Sequence, residues 1–244
     1  MLRAALLAVT ALALSACGTQ QSARFDRYQR ALATAPGAAQ PSRVVAREIE
    51  FLKRARQADA SGVAADFAAD DAMVLSRLGP QPLTAQSEIE LAGWAPSEVW
   101  MSCDGRLAVS EGRFQAADSK VGRYLALWQR DRGGDYQWLY RASALDDPQP
   151  PPASDAGEVD PDAIVVEGIP SIDGNVADCG ATPPPAPAMA GQMRETLSPD
   201  GTLAWRWGYT GNQRLIEIHA FTEGEWQRVL ARRWPASPGA GAIQ

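Results

Sequence analysis

The spacing of apolar residues changes near residue 70, from intervals of three and four to intervals of two. The first part predicts a helix from Pro41-Ser42 to about Gly62, followed by a shorter helix over 63–69 that Asp70-Asp71 ends. Three apolar residues recur at helical spacing along the longer helix: Val45, Ile49 and Leu52. The chain therefore begins its folded part with two helices.

Alternation with a period of two dominates after residue 70 and predicts β-strands. Met73-Val74-Leu75 begins the first strand-like run. Four more segments follow it: Val99–Met101, Leu107–Ser110, Val121–Arg130 and Gln137–Ala142. Tyr124, Ala126 and Trp128 share one face of their strand, and glycines at 133 and 134 favour a hairpin turn behind it. Residues 43–146 thus predict helices followed by an antiparallel sheet.

A change of composition separates this region from the C-terminal part. Together with Asp146, residues 147–163 contain five prolines and six acidic residues but no basic residue, which predicts a solvated linker. Residues 164–235 predict a C-terminal antiparallel β-meander, and residues 236–244 predict a flexible tail. Four strand segments form this meander: Gln192–Leu197, Thr202–Tyr209, Arg214–Phe221 and Trp226–Trp234.

One strand of the meander carries an unusual row of large side chains. Leu203, Trp205, Trp207 and Tyr209 alternate along it and share one face. Such a row either forms a sugar-stacking or docking surface or belongs to a core, and an isolated four-stranded sheet would leave two faces exposed. We expect the row to be buried against the first sheet.

Residues 43–146 resemble the nuclear-transport-factor-two-like superfamily, specifically its SnoaL-like branch. The resemblance rests on four stretches: Ala58-Asp59-Ala60-Ser61-Gly62, Phe67-Ala68-Ala69-Asp70-Asp71-Ala72, Gly79-Pro80-Gln81-Pro82-Leu83 and the hairpin from Gly122 through Trp128 to Trp138. It implies an α+β fold in which a cone-like curved antiparallel sheet wraps around N-terminal helices. It covers less than half of the chain.

The N-terminal segment predicts attachment to a membrane through a lipid. Leu14-Ser15-Ala16-Cys17 resembles a bacterial lipobox at the end of the uncharged stretch 4–16, and Arg3 supplies one positive charge before it. We expect residues 1–16 to be a lipoprotein signal peptide, Cys17 to carry lipid, and residues 17–42 to form a tether. Gly18 favours the outer over the inner membrane, with the protein on the periplasmic face. Secretion without lipid is the alternative.

The net charge bears on the partners of the protein, and the number of cysteines bears on its disulfides. Without Arg3, 22 basic and 29 acidic residues give 22 − 29 = −7, which argues against nucleic acid as a partner. Once Cys17 carries lipid, Cys103 and Cys179 remain, and in an oxidising periplasm such a pair forms a disulfide. Two free buried thiols are the alternative.

The candidate chemistry is sparse. Enzymes of the resembled superfamily use a carboxylate or histidine in the cone with a hydrogen-bond donor opposite, but residues 43–146 contain no histidine. Four residues are candidates to line a cavity, with core or surface positions as the alternative: Tyr124, Tyr140, Glu111 and Trp128. His219 and Glu217 supply only two of the three or four ligands that a metal site needs. We expect no metal and no cofactor.

These observations leave two functions open. The first is a noncatalytic binding or envelope-interaction role for a protein held at the membrane by its lipid anchor, with a small apolar molecule as the candidate ligand. The second is an isomerase- or cyclase-like enzyme that uses a cavity carboxylate. A cone filled with side chains favours the first, whereas a deep pocket with a buried carboxylate facing Tyr124 or Tyr140 favours the second.

Overall fold

The computed structural model describes residues 39–57, 60–83, 91–151, 171–180, 182–189 and 191–240. The predicted signal peptide, Cys17 and nearly all of the tether lie outside these residues, as does most of the predicted linker. In the described part of the chain, no helix has the length and apolar character required to cross a membrane.

Two helices precede the strands: α1, Pro41–Ala55, and α2, Ala60–Phe67. Proline at the first position of α1 suits a helix start, because the first turn needs no donor there. The buried face of α1 is rotated from the predicted stripe, since Ile49 is 56% exposed while Val44, Glu48 and Phe51 are buried. A glutamate therefore lies between two apolar residues, Val44 and Phe51, on the buried face of α1.

The boundary between the second helix and the first strand also differs from the prediction. Asp70-Asp71 does not end a helix but lies exposed in a strand that starts at Ala68. The pairing of this strand is irregular between Ala68 and Met73, which allows two successive side chains to face solvent. Tertiary pairing outweighs the local helix signal here.

The first sheet contains seven strands: β1 Ala68–Ser76, β2 Gly79–Pro82, β3 Leu91–Met101, β4 Leu107–Ala116, β5 Val121–Arg130, β6 Tyr136–Leu145 and β7 Asp173–Val176. Their order is β2-β1-β6-β5-β4-β3-β7. Strands β3 to β6 form the predicted antiparallel meander. However, β1 lies parallel to β6 and β7 parallel to β3, so the sheet is mixed and not antiparallel throughout.

Strand β7 changes the predicted division of the chain. The sequence pattern predicts the C-terminal meander over residues 164–235, whereas β7, within this range, pairs with β3 at the edge of the first sheet. Residues 236–240, predicted as part of a flexible tail, also contact this sheet, because the Ser237 amide donates to the Arg77 carbonyl over 2.8 Å. Both segments are too short to show a period of their own.

The second sheet is the predicted C-terminal meander. Four strands build it: β8 Met193–Leu197, β9 Leu203–Thr210, β10 Gln213–Thr222 and β11 Glu225–Pro235. All pairs are antiparallel, in the order β11-β10-β9-β8. Turns at 198–202, 211–212 and 223–224 connect them, as the sequence of each turn predicts.

The first sheet is buried on both faces. Its inner face, defined by Ser110, Tyr124 and Trp128, packs against α1 and α2. Its outer face, defined by Val109, Leu125 and Leu127, packs against the second sheet. The row Leu203, Trp205 and Trp207 is fully buried in this second core, as expected from the unprotected faces of an isolated sheet. The described part of the chain therefore has three layers, with the first sheet in the middle.

The predicted pairing of Cys103 with Cys179 is supported, since the two form a disulfide with Cα atoms 5.2 Å apart. Since Cys179 lies in the segment that the sequence assigns to the C-terminal meander, the pairing predicts a bond between the first sheet and that meander across the linker, and this prediction is wrong. Cys103 follows β3 and Cys179 follows β7, so the bond reinforces neighbouring strands of the first sheet. A link to the second sheet comes from the next residue, because the Asp104 amide donates to Asp200 Oδ2 over 2.7 Å.

Candidate functional site

A buried carboxylate lies between α1 and the inner face of the first sheet. Glu48 is only 2% exposed, and its carboxylate accepts hydrogen bonds from Ser110 Oγ and Tyr124 OH. Trp128 Nε1 donates to Glu48 Oε1 over 3.2 Å and to Ser110 Oγ over 2.9 Å. Three neutral donors from β4 and β5 thus converge on one glutamate from the helix.

The strands position these donors through the alternation of their side chains. Ser110 on β4 pairs in register with Ala126 on β5, between the inward-facing Tyr124 and Trp128. Gly112 lies opposite Tyr124, and a Cβ atom there would be 2.7 Å from the tyrosine ring and against the Ala95 carbonyl. A larger residue at 112 would therefore displace the phenol that reaches Glu48.

Burial dominates the electrostatics of this group. Removal from water raises the pKa of Glu48 above its usual 4.5, while the hydrogen bonds from Ser110 and Tyr124 oppose that rise. Burial, together with the neighbouring Glu48 charge, raises the pKa of Tyr124 well above 10.0. The phenol consequently stays protonated and acts as a donor to the carboxylate.

An arginine from β6 completes the inner face. The Arg141 guanidinium carbon lies 5.1 Å from the ring centre of Phe51, 5.5 Å from Trp94, 6.0 Å from Tyr124 and 5.7 Å from Trp138. We call these four rings the aromatic cage. Burial lowers the pKa of Arg141, and the attraction of Glu48 opposes this. The residue as a whole is only partly buried, unlike the four rings around it.

The arrangement has two chemical elements. The carboxylate of Glu48 accepts three hydrogen bonds and the residue is only 2% exposed, so a substrate proton could reach it only if its neighbours moved. The guanidinium of Arg141 offers planar donors to an anion and stacks well on aromatic rings. Recognition of an anion therefore needs less rearrangement than proton abstraction.

The structure separates the four predicted cavity residues into two pairs. Tyr124 and Trp128 lie on the inner face with Glu48. Tyr140 lies on the outer face, with its ring centre 6.2 Å from that of Trp205. Glu111 also points outward, where Arg232 donates to its two carboxylate oxygens over 2.7 and 2.6 Å. The four residues do not converge on one cavity.

A β-bulge explains why Tyr140 faces outward. Leu127 pairs with Tyr140 and Trp128 pairs with Trp138, so Leu139 is an extra residue in β6. The bulge shifts the alternation by one position, so that Trp138 and Arg141 both face inward. Uninterrupted alternation would have placed 138 and 140 on the same face.

Three residues of the inner-face group were not singled out from the sequence: Glu48, Ser110 and Arg141. The burial of Glu48 could have been predicted, because Glu48 lies four residues after Val44 and three before Phe51, on one face of α1. Ser110 and Arg141 had no such signal, since a serine in a strand is common and the bulge conceals the orientation of Arg141.

His219 and Glu217, the pair with too few ligands for a metal site, lie two residues apart on β10. His219 Nε2 lies 3.3 Å from Glu217 Oε2, and Arg228 occupies the other oxygen of Glu217 at 3.0 Å. The described residues contain no group of three or more histidine, cysteine, aspartate or glutamate side chains arranged to hold a metal ion.

Comparisons with known proteins found similarity only among solved structures. No protein-family model matches the sequence, and no curated protein is significantly similar to it. A candidate aromatic ring hydroxylase from Novosphingobium aromaticivorans matches with a TM-score of 0.31 and 15% identity over 45% of this chain and 91% of its own. A nuclear-transport-factor-two-like superfamily protein from Salmonella enterica serovar Typhimurium matches with a TM-score of 0.32 and 12% identity, covering 48% and 95% of the two chains.

The second of these structures belongs to the superfamily that residues 43–146 resemble in sequence. Both similarities cover less than half of this chain, and their TM-scores and identities are too low to transfer a family or an activity. The functional argument therefore rests on the residues of the inner face themselves.

Proposed function

We propose that this chain is a lipid-anchored, noncatalytic binding protein on the periplasmic face of a bacterial membrane, the outer membrane rather than the inner. The observation that carries the noncatalytic part is the carboxylate of Glu48, which three neutral donors occupy. The ligand is a small molecule with an apolar part, and the inner face of the first sheet is its binding site.

The surroundings of Glu48 support binding over catalysis. A general base works when its carboxylate is free to meet a substrate proton at hydrogen-bond distance. Here Tyr124 and Ser110 meet the carboxylate, and Trp128 closes the side between them. Glu48 thus holds α1 on the sheet, with large aromatic side chains packed near it.

The sequence supports the membrane location. Leu14-Ser15-Ala16-Cys17 has the pattern of a lipid attachment site, and residues 17–42 are long enough to separate a folded body from the bilayer. The disulfide between Cys103 and Cys179 suits an oxidising compartment such as the periplasm.

An isomerase- or cyclase-like enzyme is the second candidate, and one observation favours it. Glu48 is a buried carboxylate whose pKa is raised by burial and which faces the phenol of Tyr124. A raised pKa is what a catalytic carboxylate needs near neutral pH. For this function, Tyr124 or Ser110 would have to release Glu48 when substrate binds.

A retention and turnover experiment separates the two candidates. Wild-type protein and Glu48→Gln are incubated with a small-molecule extract of the bacterial envelope, and mass spectrometry follows both the bound and the free compounds. A binding protein retains the same compound in both forms and changes no compound in the extract. Conversion by wild type that disappears in Glu48→Gln would favour the enzyme instead.

Replacement of Cys17 tests the anchor. Cys17→Ser removes the thiol that accepts lipid, so we expect an unprocessed or soluble product without an acyl label. Membrane fractionation with labelled fatty acid measures this. The double variant Cys103→Ser/Cys179→Ser is the control, because it loses the two disulfide cysteines together but keeps the attachment site. A Cys17→Ser product that stays anchored and labelled would exclude Cys17 as that site.

A further inference from the structure

Two hydrogen-bond donors on the inner face have no acceptor. Within the described parts of the chain, the guanidinium of Arg141 makes no hydrogen bond or ion pair. Trp138, from the same strand, is fully buried, and its indole Nε1 also has no partner among these residues. The two side chains are neighbours, since the Arg141 guanidinium carbon lies 5.7 Å from the Trp138 ring centre.

Donors of this kind usually find an acceptor. The indole N–H of Trp138 is fully buried, and a buried donor left unpaired costs free energy that a bound acceptor would recover. Arg141 adds five N–H donors beside it. The neighbouring carboxylate of Glu48 does not fill this role, because it accepts from Ser110, Tyr124 and Trp128 and not from Arg141 or Trp138. Glu48 attracts Arg141 through space but leaves its donors unfilled.

We propose that Arg141 binds the carboxylate of a small, compact monocarboxylic acid, whose apolar part packs against the aromatic cage. This inference rests on the proposed binding function and names the class of its ligand. Arg141 is a partly buried residue, whereas the cage residues are buried, with Trp94 the most exposed of them at 7%. Arg141 is therefore the most exposed member of this group. The indole N–H of Trp138 is available as a second donor.

The charge at the site selects a carboxylate over a phosphate. A carboxylate matches one guanidinium in both geometry and charge through two parallel hydrogen bonds. A phosphate carries up to two negative charges at neutral pH and needs further cations, while the charge next to Arg141 is the negative one of Glu48. The aromatic walls favour a ligand with an apolar body, because ring contacts add to the charge-assisted bonds.

Binding of simple probes to the full chain tests the inference. Benzoate is compared with benzamide, its neutral isostere, and with inorganic phosphate at constant ionic strength, by calorimetry and by the NMR signals of the tryptophan indoles. We expect benzoate to bind at least about 10-fold more tightly than benzamide or phosphate, which is typical of a charge-assisted hydrogen bond. The Trp138 indole signal should shift with benzoate.

Variants identify the arginine responsible. Arg141→Gln should weaken benzoate binding at least about 10-fold and leave benzamide binding unchanged, while Arg141→Lys retains part of the affinity. Arg106→Gln, at an exposed arginine before β4, is the matched control and should bind benzoate as wild type does. The near-UV circular dichroism spectrum shows whether each variant keeps its aromatic packing.

Several results would overturn the carboxylate assignment. They are equal affinity for benzoate and benzamide, phosphate binding as tight as benzoate binding, no binding of any probe, and benzoate binding that Arg141→Gln leaves intact in a folded protein. The proposed binding function has its own test in the retention experiment, where a neutral compound retained unchanged would support binding and reject Arg141 as its anion receptor.

Discussion

A buried glutamate lies at each face of the first sheet, and the two carboxylates are stabilised in different ways. On the outer face, Glu111 forms a two-point ion pair with Arg232 of the second sheet, and Arg123 lies 3.6 Å away. On the inner face, Glu48 is bound by neutral donors, while Arg141, whose charge attracts it, makes no hydrogen bond in the described part of the chain.

This difference distinguishes the outer face, which is a permanent interface with the second sheet, from the inner face, which we propose binds a ligand. The outer face pairs its buried charge within the protein and adds tryptophan packing between the sheets, which is how a permanent interface is built. The inner face holds a carboxylate and a guanidinium close enough to attract each other, yet each has different neighbours. Within the proposed binding function, the guanidinium of Arg141, which makes no hydrogen bond in the described part of the chain, marks the place of the ligand.

The largest effect is expected from loss of the packing between the sheets. Trp205→Ala removes a fully buried indole from the second core, and we expect the free energy of unfolding to fall by about 3–5 kcal/mol. Urea unfolding measures the loss. Trp226→Ala, at a partly buried tryptophan of β11, is the control and should cost about 1 kcal/mol. Equal losses would mean that the outer face contributes no special stability.

A smaller effect is expected from the ion pair on the same face. Glu111→Gln leaves Arg232 without its charge partner, and because Arg232 is 30% exposed the cost should be about 2 kcal/mol, below that of a fully buried pair. A double-mutant cycle with Arg232→Gln isolates the coupling, for which we expect about 1 kcal/mol. Additive single effects would show that the pair does not join the sheets.

The smallest effect is expected from the inner glutamate, and it depends on pH. Because the pKa of Glu48 is raised in the folded state, the folded protein binds the proton more tightly than the unfolded chain does. The stability of wild type relative to Glu48→Gln should therefore fall as the pH rises from about 4.5 through the folded pKa, and then level off.

Thermal unfolding of the two proteins across this pH range measures the difference. Glu50→Gln, on the exposed side of the same helix, is the matched control and should change the unfolding free energy by less than about 0.5 kcal/mol. A stability difference between wild type and Glu48→Gln that rises with pH would mean that Glu48 is a stabilising charge, as Glu111 is.

The sequence predicted best where local patterns and long-range packing agree. The hairpin of β5 and β6 and the four strands of the second sheet follow from strict alternation with turn residues between them. The tryptophan face of β9 was assigned to a core because a two-faced sheet needs cover. Strand β7 escaped prediction, because Asp173-Gly174-Asn175-Val176 has no alternation and owes its conformation to β3.

The candidate site was only half predictable for two physical reasons. Glu48 lies on an apolar stripe, but a charged side chain is normally exposed, and only the donors of β4 and β5 make its burial tolerable. Arg141 and Tyr140 depend on the bulge at Leu139, which exchanges the faces of the residues that follow it. A period of two cannot reveal the position at which it is interrupted.

Native mass spectrometry of the full chain purified from its own membrane tests the central claim most directly. The account predicts a chain that begins at Cys17, carries acyl groups, and releases one small carboxylic acid on activation. It also predicts that Arg141→Gln, purified in the same way, carries the acyl groups without the acid. A lipidated wild-type chain that retains no small molecule, or an Arg141→Gln chain that retains the same acid, would contradict an inner face open to a ligand.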